Sequence, residues 1–230
     1  MIDYGKEPLD FGNYPLPEWR EFMHYMYLPI AIPGQDGIRL PQRLEFARDL
    51  IEEIIRLEDA TQYMLGFDGK RFDYVYLTMR RGFATPGNPL NRPGWHSDGF
   101  GTHDVNYVWT DRFPTYFALQ EFHNISDDHK ESIKQFTQQI NLARCDGVDP
   151  IWTYPDHQLL RLDSSVIHRA PEIPAPGGVR SFLKVSFSNS KYNLAGNSHN
   201  FLFDYDWDMF DRNAVRNDPA RGESDSGVPA

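Results

Sequence analysis

His96 and Asp98 are separated by one residue, and on an extended segment two such residues point the same way and can share one ion. The pair alone carries little weight. With eight histidines and 33 acidic residues in the chain, a shuffled sequence yields about one His-x-acid match by chance. A second match, His129-Lys130-Glu131, falls in a helical pattern, where residues two apart point to different faces, and it reads as solvated surface. His96-Ser97-Asp98 instead follows the Pro- and Gly-dense loop from Pro86 to Gly94, a non-helical setting suited to a ligand pair at a barrel mouth. A histidine and an aspartate in a hydrogen-bonded turn would be the ordinary alternative. The third residue is His168, which closes the strand-like run from Leu162 to Ile167. Alone it would pass for a core histidine. Together with the upstream pair it makes the two-histidine, one-carboxylate set that leaves coordination positions open and suits iron(II).

The elements that must hold these side chains are mostly strands. Phe72 to Arg81, Thr115 to Phe122, Ile151 to Tyr154, Gln158 to Leu162, Val166 to His168 and Val179 to Ser188 are short and rich in aromatic and β-branched residues, with Gly, Pro, Asp and Ser between them. Their connections are short turns or one helical insertion, which favours an antiparallel sandwich or barrel with helices outside. One helix follows Pro41, with Leu44, Ala47, Leu50, Ile51, Ile54 and Ile55 at helical spacing until Gly66. A second is expected to start at a Ser126 cap, with Ile133, Phe136, Ile140 and Ala143 on one face. The chain therefore divides into a helical support segment over 1–71, a β core over 72–200 with a helical insertion near 126–144, and an acidic segment over 201–230. In that last segment Phe201, Leu202, Phe203, Tyr205, Trp207, Met209 and Phe210 dock, Asp204, Asp206, Asp208 and Asp211 are solvated, and the stretch after about Asn217 is disordered.

Bulk properties bound the partners. A chain of 230 residues with 40% apolar and 14% aromatic residues can bury one substantial core. There is no apolar run of membrane-spanning length, the N-terminus carries Asp3, Lys6, Glu7 and Asp10 where a signal peptide is apolar, and the single cysteine, Cys145, allows no internal disulfide. The expectation is a soluble, cytoplasmic protein. A net charge of -10 disfavours long duplex nucleic acid, although Lys70-Arg71 or Arg80-Arg81 could contact one phosphate.

Trp95-His96-Ser97-Asp98-Gly99, then Ser165-Val166-Ile167-His168-Arg169-Ala170-Pro171, then Val179-Arg180-Ser181-Phe182-Leu183-Lys184 form an order and spacing that resembles the iron(II)- and 2-oxoglutarate-dependent dioxygenases. The resemblance covers about residues 72–190. It implies a double-stranded β-helix, a jelly-roll, cupin-like barrel in which His96, Asp98 and His168 hold iron, and Arg180 pairs the distal carboxylate of 2-oxoglutarate. It also implies that decarboxylation of 2-oxoglutarate by O2 is coupled to oxidation of a substrate, with hydroxylation the usual outcome. The chain departs from a common form of the pattern, because Phe182 stands where many members place a hydroxyl. Tyr76, Arg81 and Tyr116 on neighbouring strands are candidates for that second contact, and a one-residue register difference would turn any of them away.

Arg180 sits in a strand whose faces divide as Val179, Leu183, Val185, Phe187 and Arg180, Phe182, Lys184, Ser186, and its planar fork suits a carboxylate better than the point charge of Lys184. The loop from Ala84 to Pro93, the segment from Phe100 to Phe113, and Trp109, Trp152 and Tyr154 are expected to border the pocket. They leave a small molecule, a nucleotide or a protein side chain open as substrate. Two other classes compete: a cupin-like metal barrel acting as a non-oxidative enzyme or ligand-binding module, and an interaction protein whose triad is structural.

Overall fold

Alternation along the chain's longest C-terminal strand organises the structure. A computed structural model of the protein describes residues 2–16, 19–67 and 72–212. In chain order the elements are β1 (Leu9–Asn13), β2 (Met23–Ala31), a 3-10 turn (Gln42–Ala47) running into α1 (Arg48–Met64), β3 (Tyr74–Ala84), β4 (His96–Ser97), β5 (Val105–Thr110), β6 (Tyr116–Ala118), α2 (His129–Cys145), β7 (Ile151–Thr153), β8 (Gln158–Leu162), β9 (Ile167–Arg169) and β10 (Gly178–Ser188). They form a six-stranded sheet in the order β1-β8-β5-β10-β3-β2 and a four-stranded sheet in the order β4-β9-β6-β7, with every pairing antiparallel. The expectation of a mostly β chain with flanking helices holds at this level.

The pairing is nested: β3 with β10, β4 with β9, β5 with β8, and β6 with β7. The chain from β3 to β10 thus runs as one long antiparallel ribbon closed by the α2 insertion between β6 and β7. On β10, Leu183, Val185 and Phe187 face α1 and join Leu50, Ile51 and Ile54 in the largest core cluster. Phe182 and Lys184 face the other way, into the space between the sheets, where Val108, Leu160, Leu162 and Phe182 of the large sheet meet Phe117. Both faces of β10 are buried, so it is not a half-solvated strand. Phe136 and Ile140 of α2 cover the outer face of the small sheet against Ala118 and Ile167.

Several expectations need correction. Residues 1–71, read as a helical support, also supply β1 and β2 to the large sheet. The cap of α2 is Asp128, whose carboxylate accepts from Glu131 N at 2.8 Å; Ser126 Oγ accepts from Asp128 N one step earlier. The segment from Phe100 to Phe113 contains β5, an interior strand of the large sheet, and it borders the cavity as expected through Thr102, Asp104, Asn106 and Val108. Within 201–212, Phe203 is buried beneath Arg39, and Trp207 packs edge-on to Tyr74, while Phe201 is exposed. The aspartates there are exposed, as expected of solvated charge. The stretch after Asn217 and the Lys70-Arg71 cluster lie outside the described residues. Among the described residues, no helix is long and apolar enough to cross a membrane.

Candidate metal centre

β4 and β9 place two histidines directly opposite one another, because His96 and His168 are register partners on facing strands. Their ring centroids lie 4.5 Å apart. Each ring has its Nδ1 against a backbone carbonyl, His96 at 2.8 Å from Gly94 O and His168 at 3.3 Å from Val166 O. With Nδ1–H donating, the lone pair of each Nε2 is left to face the same point, which is how a second layer of contacts orients metal ligands. Asp98 completes the set from the turn after β4. Its Oδ1 lies 3.7 Å from His96 Nε2 and its Oδ2 3.7 Å from His168 Nε2. The tight turn depends on Gly99 at φ +71°, where a Cβ would come 2.9 Å from Asp104 Cβ.

These three residues form the one His/Cys/Asp/Glu group among the described residues whose ligand atoms converge, all within 4.8 Å of one another. Donor atoms held about 2.1 Å from one ion at right angles lie roughly 3 Å apart, so a small contraction suffices. Two neutral imidazoles and a carboxylate on one side, with an open cavity on the other, fit iron(II) and other borderline divalent ions.

Electrostatics favour the neutral form of His96 and the ionised form of Asp98. Burial, reinforced by the neighbouring His168, pushes His96 well below the ordinary histidine value, which keeps Nε2 unprotonated. Burial works to raise Asp98, but the ammonium of Lys184 and the contact with His168 outweigh it and hold the carboxyl well below its usual range. Lys184 Nζ donates to Asp98 Oδ2 at 2.9 Å and to the Tyr27 hydroxyl at 3.3 Å. Its burial would lower it, yet the Asp98 charge keeps it raised and cationic. Tyr27 reaches this position from a left-handed backbone conformation, φ 49°, which for a bulky residue stores strain beside the site.

The triad opens onto a cavity of about 770 Å3, within the range of small-molecule sites. Asn88, Leu90, Asn91, Arg92 and Pro93 of the Pro86 to Gly94 loop form one margin, as expected of that loop. The opposite margin is the C-terminal segment, with Tyr192, Asn197 and Arg212.

The expected cosubstrate contacts are placed differently. Arg180 is 1% exposed and is absent from the cavity wall; its Nε donates to Phe113 O at 2.9 Å and to Arg112 O at 3.2 Å, and its NH1 donates to Asn91 Oδ1. Asn91, which does line the cavity, stands between it and the open space. Arg81 points to the opposite face of β3, donating to Ser181 Oγ at 2.6 Å and lying over Trp19. The one-residue alternation that turns Arg81 away brings Arg80 to the cavity, so the Arg80-Arg81 cluster cannot converge on one phosphate. Tyr76 is covered by Tyr192, stacked at 4.2 Å, and its hydroxyl donates to Ser190 O. The Tyr116 ring lies under Arg169, also off the wall.

Trp109 is core, its indole donating to Tyr14 O at 2.7 Å, and Trp152 is 57% exposed. Tyr154 packs edge-on to Phe117, away from the cavity wall. His129, read as solvated surface, lines the cavity and lies 5.2 Å from the Phe100 ring, because it opens α2 rather than sitting a turn inside it.

Comparison with protein-family models, with curated proteins and with solved structures found no match for this chain.

Proposed function

We propose that this chain is a non-haem iron(II) oxygenase that uses 2-oxoglutarate. The observation that carries the proposal is the convergence of His96 Nε2, His168 Nε2 and the Asp98 carboxylate on the wall of a small-molecule cavity. The nested pairing from β3 to β10 supports it. Eight strands paired first with last and inward to a central pair are the pairing expected of a double-stranded β-helix, the jelly-roll barrel that the sequence resemblance implies.

The chemistry supplied by bound iron is the coupling of 2-oxoglutarate and O2 to succinate, CO2 and one oxygen atom delivered to a substrate C–H bond. The chain's own residues do the rest. The Gly94 and Val166 carbonyls hold the two imidazoles in the ligating tautomer. Lys184 keeps Asp98 ionised and fixes Oδ2 beside His168, leaving Oδ1 toward His96. Phe182 and Val108 make a dry floor that excludes water. No side chain is required as a general base.

For the distal carboxylate of 2-oxoglutarate the cavity wall offers Arg80, opposite Phe182 in register and therefore two residues along the sheet from Lys184. Because Arg80 lies on the neighbouring strand, that diagonal step is about 7–8 Å, a span suited to a five-carbon diacid chelating at the metal. We assign the anchor to Arg80 and give Arg180 a positioning role behind Asn91. Arg80→Ala should weaken 2-oxoglutarate about ten- to 150-fold, the loss of one charge-assisted pair. Arg180→Ala should act mainly on stability, by stranding the Arg112 and Phe113 carbonyls. The measurement is succinate formation against 2-oxoglutarate concentration in each variant, and the reverse ranking would return the anchor to Arg180.

The engagement of Arg180 by its own chain favours a second reading, a metal-binding barrel of cupin type that performs no oxidation, as an enzyme or a ligand-binding module. Ferrous-dependent succinate production separates the two. Specific metal binding with no affinity for 2-oxoglutarate in the native chain would establish the second.

A further inference from the structure

A series of aromatic side chains in ring contact runs from the metal site toward the surface. Tyr27, whose hydroxyl accepts from Lys184 beside Asp98, lies edge-on to Tyr192 with ring centroids 5.0 Å apart. Tyr192 stacks on Tyr76 at 4.2 Å, Tyr76 meets Trp207 edge-on at 6.4 Å, and Trp207 lies 4.5 Å from Tyr205. Tyr27 and Tyr192 line the cavity, and Trp207 and Tyr205 are half-buried at the outer end of the series. Packing accounts for the rings but not for the group placed on Tyr192. The buried Tyr76 phenol is satisfied by a neutral carbonyl, Ser190 O at 2.9 Å, whereas the Tyr192 hydroxyl donates to the Asp104 carboxylate at 2.7 Å. Asp104 is 6% exposed, has no ion-pair partner among the described residues, and otherwise accepts from Ser188 Oγ at 2.7 Å. A buried carboxylate without a cation is a costly way to satisfy one phenol. It is also a proton acceptor within reach of that phenol. Burial, then the Asp104 charge, raise the Tyr192 phenol well above its ordinary value, so at neutral pH the oxygen keeps its proton until an electron leaves.

We propose that Tyr192, with Asp104 as its proton acceptor, is a redox-active tyrosine that reduces the metal centre when the oxidant formed there meets no substrate, and that Trp207 refills it. The proposal rests on the oxygenase reading for the source of that oxidant. In each one-electron step the Tyr192 O–H bond breaks, the electron passes to the metal centre and the proton to Asp104. Trp207 returns an electron through Tyr76, the proton moves back from Asp104 to the phenoxyl oxygen, and a thiol in solution reduces the half-exposed indole. Two such steps turn one oxygen atom at the metal and two protons into water, and two thiols into one disulfide with release of the same two protons. The side chains around the metal are thereby spared oxidation.

The test uses the full chain, loaded anaerobically with ferrous iron and given one equivalent of hydrogen peroxide without 2-oxoglutarate, then frozen rapidly for electron paramagnetic resonance. The native chain should show a tyrosyl radical, and peptide mass spectrometry after longer incubation without thiol should find oxygen added at Trp207. Tyr192→Phe keeps the ring contacts and should lose both signals at least tenfold, with iron affinity unchanged. Asp104→Asn keeps an acceptor for the hydrogen bond but no base, and should lose the radical to a similar extent. Circular dichroism checks both variants, and where Tyr192→Phe does not fold, Asp104→Asn decides. No radical in the iron-loaded native chain, an undiminished radical in either folded variant, or equal oxidation of Trp207 in the native chain and Tyr192→Phe overturns the proposal. Failure of the oxygenase reading appears separately, as no succinate from 2-oxoglutarate and O2 in a chain whose peroxide-generated radical persists.

Discussion

Ferrous iron, titrated anaerobically, is expected to bind the native chain one to one, and His96→Ala or His168→Ala should lower the affinity by more than about a hundredfold while the fold persists. Removing an outer-layer partner of a ligand already costs about ten- to a hundredfold, and removing the ligand itself costs more. The histidine variants are the clean test for a structural reason. His96 and His168 are joined through the backbone pairing of β4 and β9, which alanine leaves intact. Among the described residues, the hydrogen bonds lost are those to the Gly94 and Val166 carbonyls, worth about 1 kcal/mol each, and Asp98 loses its contacts with the two imidazoles while keeping Lys184. Asp98→Ala is less clean, since it also leaves the Lys184 ammonium buried without its counterion and mixes metal loss with destabilisation. Circular dichroism is the check that each variant stays folded. Undiminished iron binding by His96→Ala/His168→Ala would end the assignment, whatever the turnover. The same protein purified in air is expected to carry nickel or zinc in part, because an imidazole and carboxylate set selects weakly among these ions.

What could be read from the sequence followed from periodicity, and what could not followed from contacts between distant segments. Leu44, Ala47, Leu50, Ile51 and Ile54 recur at helical spacing and are the buried apolar residues of the 3-10 turn and α1, with Gly66 at φ +83° just beyond the end. The faces of β10 separated as the alternation required. β2 was hidden because Pro29 and the irregular register around Tyr27 break its pattern; a proline in a strand marks an edge, and β2 is the edge of the large sheet. β5 is a different case. Val105, Tyr107, Val108, Trp109 and Thr110 are strand formers in sequence, and that signal could have found the strand.

At the candidate metal site, the His-x-Asp spacing in an extended context was legible, and so was a strand at His168, although that strand runs on to Arg169 and His168 is its middle residue. The partnership of Lys184 with Asp98 was not, because it joins the two sheets across the interior, and spacing along one strand carries no information about the facing one. Arg80 and Arg81 differ by one residue and lie on opposite faces, so their roles were undetermined until register was known. The far margin of the cavity was invisible for the same reason. Arg212 comes from a segment whose sequence advertises aspartates, and the Leu194 to Phe210 bridge brings that segment back toward Lys191 and Tyr192.

The largest expected loss of stability comes from a single carboxylate far from the cavity. Glu58 of α1 is 1% exposed and faces the outer side of the large sheet, where Arg161 of β8 donates from Nε at 2.7 Å and from NH2 at 3.2 Å. The Tyr107 hydroxyl donates to the same carboxylate at 3.0 Å, and the Gln62 amide one turn along the helix donates as well. Helix and sheet are therefore joined by one acceptor with donors from three elements. Glu58→Ala leaves a buried guanidinium and a buried phenol without an acceptor, at a cost of about 3–5 kcal/mol, where an exposed pair such as Arg48 with Glu45 is worth roughly 0.5 kcal/mol. For a chain of this length the melting temperature should fall by roughly 6–20 °C. Glu58→Leu/Arg161→Met should lose much less than either single change, because an apolar pair carries no stranded charge. Thermal and urea unfolding of the three variants measures this, with iron affinity at low temperature as the control that the site is untouched. A loss below about 1 kcal/mol in Glu58→Ala would mean that water reaches the pair and that the packing of Leu50, Ile51 and Ile54, rather than the charge, holds α1 on the sheet.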